Sequence, residues 1–250
     1  MVLHPDFISK PIAHRGLHDV VNGVAENSAT AFERAIKHGY GIELDVQVSS
    51  DAKAMVFHDP DLLRLTGQTG LVREKPASAL SKIALVGNGD KVPSLAEVLE
   101  QVAGQVPVLI EIKDQDGRLG PNVGKVAHDI AGLLECYQGP VAVMSYNPHA
   151  VAAVAELAPS TCIGLVTGAF RDSSWDVLPR KLRDHMAMIS DFDRIGAGFV
   201  SHNQNNLENS SLLELKSRNI PIVTWTIRSK EQEVAARKVA DNITFEDYLA

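Results

Sequence analysis

Cysteine, aromatic side chains and long apolar runs are all scarce in this chain. Its 250 residues include 2 cysteines, and aromatics make up 5%. Cys136 and Cys162 form neither a metal-binding CxxC nor a disulfide framework. Each lies in or beside an apolar stretch, so both are expected as buried small hydrophobes. No run approaches the roughly 18 apolar residues of a membrane span, so no stable membrane insertion is expected. The opening MVLHPDFISKPIAHRG lacks the basic and then apolar segments of a signal peptide, and a cytoplasmic protein is the expectation. An excess of basic charge is lacking too: 24 Lys and Arg stand against 31 Asp and Glu, for a net charge of -7. Without a basic stripe, a general nucleic-acid binder is excluded. A locally cationic pocket for an anionic ligand is still compatible with that balance.

What the chain does have is regular alternation. Strand patterns fall at 11–16 (PIAHRG), 41–48 (GIELDVQV), 106–113 (VPVLIEIK), 141–146 (VAVMSY), 163–168 (IGLVTG), 198–203 (GFVSHN), 221–227 (PIVTWTI) and 241–246 (DNITFE). Helical patterns lie between them. In NSATAFERAIKHG, Phe32, Ala35 and Ile36 share a face and Gly39 supplies the stop. Ser94 before LAEVLEQV, with Glu97 three residues on, has the form of a capping box. Eight strands alternating with helices predict a parallel sheet closed as a (β/α)₈ TIM barrel, and the length suits one domain. An open doubly wound sheet would want a Gly-rich phosphate turn after the first strand, which HRGLHD does not provide. The spacing breaks once. Residues 59–92 are too long and turn-rich for a simple connection and are expected as an insertion covering the barrel mouth.

Polar residues interrupt the apolar strands near their C-terminal ends: His14 and Arg15, Glu43 and Asp45, Glu111 and Lys113. Strand residues two apart point the same way, so each acid pair or acid–lysine pair projects together. In a closed barrel these ends converge on the mouth, where active sites of this fold lie. Taken singly, each acid would serve as a salt-bridge partner of Arg15 or Lys113. Three acids converging there repel one another unless a cation binds between them, and oxygen ligands favour a hard ion, Mg²⁺ or Ca²⁺. A lone His14 would be a core histidine, and a lone His58, before Asp-Pro, a turn residue. Together they offer the acid and base that phosphodiester exchange needs. Arg15 is suited to grip a phosphate through parallel hydrogen bonds, and Lys113 adds a point charge.

HRG (14–16), EN (26–27), ELDV (43–46), FHDPDLLRLTG (57–67), PSLAEVL (93–99), IEIK (110–113) and VTWTI (223–227) occur in this order. The ordered set resembles the glycerophosphodiester phosphodiesterase family, most densely from His14 to Lys113. The resemblance implies a (β/α)₈ barrel that hydrolyses a small-molecule glycerophosphodiester to glycerol 3-phosphate and an alcohol. It maps metal ligands onto Glu43, Asp45 and Glu111, the catalytic pair onto His14 and His58, and phosphate contacts onto Arg15 and Lys113. Trp225 matches an aromatic lining the substrate pocket; filling the barrel core is its alternative. Three departures stand out: Ala25 where proline is usual, Arg228 where asparagine is usual, and DNITFEDY in place of a GI-TD-P ending. They bear on the pocket wall and the choice of alcohol.

On this reading His14 is the base and His58 the acid, and the nucleophile is water or the glycerol 2-hydroxyl. Asp59 is a candidate to orient His58 or to begin the Asp-Pro turn, Glu26 to support Arg15 or the metal shell or else to cap a helix N-terminus, and His202 and Asn203 to line the mouth. His4, His18, His38, His128, His149 and His185 are taken as surface residues. Two rivals are a barrel lyase of the phospholipase D-toxin or phosphatidylinositol-phospholipase C kind that stops at cyclic phosphate, and a non-catalytic barrel that binds phosphodiesters. Oligomeric state is not legible in the sequence.

Overall fold

The computed structural model describes all 250 residues. Its strands are Ile12–Ala13 (β1), Gly41–Val48 (β2), Ala54–Val56 (β3), Val108–Ile112 (β4) and Val141–Ser145 (β5), followed by Cys162–Thr167 (β6), Phe199–Asn203 (β7), Ile222–Ile227 (β8) and Asn242–Phe245 (β9). Eight of these pair in parallel in the order β1-β2-β4-β5-β6-β7-β8-β9, and β9 returns to β1, closing the barrel. The expected (β/α)₈ architecture is therefore present. β3 is the exception: it folds back antiparallel on β2, with Val46 opposite Val56. Because β3 turns the chain back along β2, His58 just beyond it returns to the barrel mouth.

Period-two alternation divides each strand between two environments. Ile42, Leu44 and Val46 of β2, and Val108, Ile110 and Ile112 of β4, join the large core under the helices. Their neighbours Glu43, Asp45, Leu109 and Glu111 consequently turn into the barrel. The lower interior is apolar and filled by Leu109, Ala142, Met144, Val166, Phe199 and Val223, with Leu3 and Phe7 of the N-terminal segment packed against them. Phe199 is wholly buried and crosses to β6, where a Cβ on Gly164 would lie 2.4 Å from its ring. Glycine at 164 is thus the space that this aromatic occupies. Burying such a ring stabilises the fold by about 1.5–3 kcal/mol. A packed floor leaves only the C-terminal mouth for chemistry.

The helices begin and end where their capping residues stand. Ala29–His38 is capped by Ser28, whose hydroxyl accepts from the Ala31 amide, and ends at Gly39 with φ 72°. Ser94 and Glu97 form the reciprocal capping box of Leu95–Val102. Cys162 is buried, and burial pushes its thiol up to about 11. Cys136, expected inside, is exposed. The buried stripe of Val126–Cys136 runs through Ala127, Ile130, Ala131 and Leu134, and Cys136 falls off that face. No helix is long and apolar enough to cross a membrane.

Candidate active site

A cavity of about 220 Å³ opens at the C-terminal ends of the barrel strands, lined by His14, Arg15, Glu43, His58, Glu111, Lys113, Tyr146, Trp225 and Arg228, among others. β1 stops after two residues because the chain turns there: Arg15 adopts φ 55° and Gly16 φ 77°. A Cβ at Gly16 would meet Ala31 and Phe32 at 2.9 Å, so the HRG turn needs its glycine. This turn aims the Arg15 amide at Glu43 Oε2, at 2.9 Å, and the guanidinium at two further acids. Arg15 Nη1 donates to Glu26 at 2.7 Å and Nε lies 3.2 Å from Asp45.

Asp45 and Glu111 are register partners on β2 and β4, and ligand oxygens of Glu43, Asp45 and Glu111 lie within 4.8 Å of one another. All three side chains are buried. Lys113 Nζ sits 2.7 Å from Asp45 and 2.8 Å from Glu111, and Asn27 donates to Asp45 at 2.8 Å. Burial favours the neutral form of every acid here, and the cations decide which escapes it. Burial, then Asp45 and Glu111, hold the Glu43 carboxyl well above the usual range. Burial raises Glu111 too, with Lys113 opposing. Asp45 resists the same burial: Lys113, His58 and Arg15 keep it below the ordinary carboxylate range. Three acids thus share two cations, leaving Glu43 without a full counter-charge. A hard divalent ion fits that oxygen donor set and would supply the missing charge.

Each histidine is held by a carboxylate that is held in turn by an arginine. His14 Nδ1 contacts Glu246 Oε2 at 2.5 Å, and Arg228 lies 2.6 Å from the other oxygen. His58 Nδ1 contacts Asp59 at 2.7 Å, and Arg64 Nε donates to Asp59 at 2.6 Å. Arg64 also grips Glu26 with two bonds of 2.8 Å, which links the second arm to Arg15. With Nδ1 occupied, Nε2 is the free nitrogen of each ring, and that of His14 stands 3.9 Å from Glu43. Burial lowers the pKa of both imidazoles, opposed at His14 by Glu246 and at His58 chiefly by Asp45.

The structure therefore gathers His14, Arg15, Glu43, Asp45, His58, Glu111, Lys113 and Trp225 at one mouth. Glu26 and Asp59 stand where support of Arg15 and His58 was expected. His202 is buried between Thr167 and the Asn206 carbonyl instead of lining this cavity. Sequence reasoning missed Glu246 as a site residue, although a closed barrel puts the last strand beside the first. Ala13 pairs with Phe245, so the next residues, His14 and Glu246, are neighbours. Arg228 and Glu246, from two segments that depart from the family pattern, form an ion pair with each other. His18 is not a free surface residue: it stands 3.5 Å from Glu246 with a largely covered ring. The insertion also differs from expectation. No residue of 59–92 lines the cavity; Arg64 reaches the rim, and its apolar residues pack with Met55 and Phe57 beside the barrel.

The sequence profile of the glycerophosphoryl diester phosphodiesterase family matches residues 14–245. A glycerophosphodiester phosphodiesterase of Caldanaerobacter subterraneus subsp. tengcongensis is 29% identical over 94% of this chain and 93% of its own length. Among solved structures, an Oleispira antarctica phosphodiesterase in complex with the product sn-glycerol-3-phosphate superposes with a TM-score of 0.77 at 20% identity, covering 96% of this chain and 93% of that one. A glycerophosphodiester phosphodiesterase from Parabacteroides distasonis gives 0.74 at 22% identity, over 95% and 94% of the two chains. These distant neighbours share the barrel. The profile match runs from the residue after β1 to the end of β9, and this chain belongs to the glycerophosphoryl diester phosphodiesterase family.

Proposed function

We propose that the chain hydrolyses glycerophosphodiesters to glycerol 3-phosphate and an alcohol, at the cavity between His14, His58 and the three buried acids. The observation that carries this reading is the pairing of two carboxylate-anchored histidines with an acid cluster short of positive charge. Glu43, Asp45 and Glu111 would hold one divalent cation, Mg²⁺ or Ca²⁺. When bound, that ion neutralises charge on the phosphoryl oxygens. Arg15, fixed by Glu26 and Asp45, binds the phosphate with its remaining N–H groups, and Lys113 adds positive charge beside it.

His14 takes the proton of the nucleophile, water or the glycerol 2-hydroxyl, as the new P–O bond forms. His58 gives its proton to the departing alcohol oxygen as the old P–O bond breaks. Where the 2-hydroxyl attacks first, water then opens the cyclic phosphate and the histidines exchange roles. Glu246 and Asp59 fix the ring orientation and stabilise each imidazolium in turn. The whole chain is read as one catalytic domain. Residues 59–92 form an insertion whose part in catalysis is Asp59, the partner of His58, and Arg64, which steadies that partner.

Phosphorus NMR of a panel of glycerophosphodiesters, with and without chelator, tests the reading. Glycerol 3-phosphate should appear only with the metal. An accumulating cyclic phosphate would make the enzyme a lyase, and full turnover in chelator would remove the metal from the reaction. A diester with a nitrophenol leaving group separates the histidines, because that alcohol departs without protonation. His58→Ala should retain its hydrolysis, whereas His14→Ala should not.

A further inference from the structure

Beside the turn that follows β1 lies a cavity of about 530 Å³ that shares no lining residue with the catalytic one. His18 and Glu246 line it, whereas His14 lines the catalytic cavity. Ligand atoms of His14, His18 and Glu246 nevertheless lie within 4.8 Å of one another, a second cluster apart from Glu43, Asp45 and Glu111. The backbone fixes each member. The Leu17 amide donates to the Ala31 carbonyl at 3.0 Å and the Asp19 amide to the Val24 carbonyl at 2.9 Å, which holds His18 between two anchored residues. The Glu246 amide donates to the Ile227 carbonyl at 3.0 Å, and that of His14 to the Phe245 carbonyl at 2.9 Å.

The His18 ring is the unexplained member. Its side chain is 9% exposed, and Nε2 is buried without a hydrogen-bond partner. That nitrogen stands 3.5 Å from Glu246 Oε2, outside hydrogen-bonding geometry. A buried polar atom left unpaired costs free energy, so its placement calls for a partner. Oε2 of the same carboxylate meets His14 Nδ1, while Oε1 is taken by Arg228. Two imidazole nitrogens thus converge on one carboxylate oxygen. A tetrahedral ion about 2.0–2.1 Å from each donor sets the donors roughly 3.3 Å apart. The His18–Glu246 spacing of 3.5 Å already matches, and the His14–Glu246 contact of 2.5 Å has to open by about 0.8 Å. Two nitrogens and one oxygen suit Zn²⁺, whereas the all-oxygen set of Glu43, Asp45 and Glu111 suits a hard ion. The cavity beside His18 leaves room for water as the fourth ligand.

We propose that His14, His18 and Glu246 form a second metal site, for Zn²⁺, whose occupation switches off the hydrolase. The shut-off, though not the site, rests on the phosphodiesterase reading above. A zinc ion on Nδ1 displaces the proton that His14 donates to Glu246, and the ring then carries its one proton on Nε2. That nitrogen stands on the catalytic side, 3.9 Å from Glu43, and must hold a lone pair if His14 is to take the nucleophile's proton. The ion also takes the carboxylate that orients the ring. Zinc enters from the cavity beside His18, so it competes neither with substrate nor with the ion held by the three acids.

The test uses the whole protein in saturating Mg²⁺, with Zn²⁺ set by a metal buffer. Equilibrium dialysis should find a single zinc ion per chain. As that site fills, glycerophosphodiester hydrolysis should lose kcat with KM unchanged, and it should recover when zinc is removed. His18→Gln should keep the zinc-free kcat yet weaken zinc binding, and raise the inhibitory zinc concentration, by more than about tenfold, because losing even an outer-shell partner costs about 10–100-fold. No zinc bound by wild type under saturating Mg²⁺ overturns the proposal whatever the variant does. So does binding that His18→Gln leaves intact, inhibition relieved by more Mg²⁺, or bound zinc that leaves kcat unchanged. All of these leave the hydrolase reading standing. Zinc bound through His18 in a protein that cleaves no diester, even without zinc, keeps the site and removes the hydrolase reading.

Discussion

Replacing Glu246 with glutamine would remove the charge that orients His14 while preserving the shape of the side chain. Glu246 Oε2 lies 2.5 Å from His14 Nδ1, Oε1 lies 2.6 Å from Arg228, and the carboxylate is largely shielded from water. A hydrogen bond to a charged group is worth about 1.5–3 kcal/mol. If that stabilisation accrues as His14 becomes an imidazolium, kcat should fall roughly 10- to 150-fold at about 1.36 kcal/mol per decade. KM should change little, because Glu246 does not line the cavity. Burial lowers the His14 pKa and Glu246 counteracts it, so loss of the carboxylate lowers it further. The acidic limb of the pH–rate profile, where the base becomes protonated, should therefore move to lower pH. Glu246→Asp keeps the charge on a shorter stem and should recover part of the loss. The assay is steady-state kinetics across pH on wild type and both variants, with melting temperatures as a control on folding. Near-normal kcat with an unmoved acidic limb in Glu246→Gln would refute the positioning role, as would a loss explained by unfolding.

Glu43→Gln should abolish stabilisation by added Mg²⁺ or Ca²⁺ yet raise the melting temperature of the metal-free protein above that of wild type. Burial and its two acidic neighbours raise the Glu43 pKa well above its unfolded value, so the charged form costs stability at neutral pH and the cost fades as pH falls; a lower metal-free melting temperature would contradict this. Arg15→Lys should lower kcat/KM about tenfold to a hundredfold with little thermal change, because an ammonium cannot span Glu26 and Asp45 and still bind phosphate in a plane. Unimpaired turnover would reduce Arg15 to an ion-pair partner. His202 is buried neutral, with burial lowering its pKa from 6.5 to about 4. Between those values the unfolded chain takes up a proton there that the folded chain refuses, so stability should fall as pH drops through that window, by about 3 kcal/mol in full. In His202→Gln, chemical denaturation at pH 7 and pH 4.5 should show a smaller difference than in wild type; an equal difference would exonerate His202.

The sequence by itself determined which side chains share a direction, because strand alternation and helix caps are local. Leu44 and Val46 out, Glu43 and Asp45 in, follows from a period of two and needs no knowledge of what lies opposite. Ser28, Gly39 and the Ser94–Glu97 box mark helix ends for the same reason. Closure of the barrel decided the rest. It set Glu246 against His14 across 232 residues of chain, and it linked Arg228 of one strand end to Glu246 of the next. It also left residues 59–92 off the cavity wall and put Tyr146 and Trp225, from two separate segments, on it. Cys136 left the core because a one-residue offset on a helix turns a side chain by about 100°. Direction is a property of neighbours in sequence, whereas contact depends on where the whole chain closes, and the protonation of the buried acids depends on those contacts.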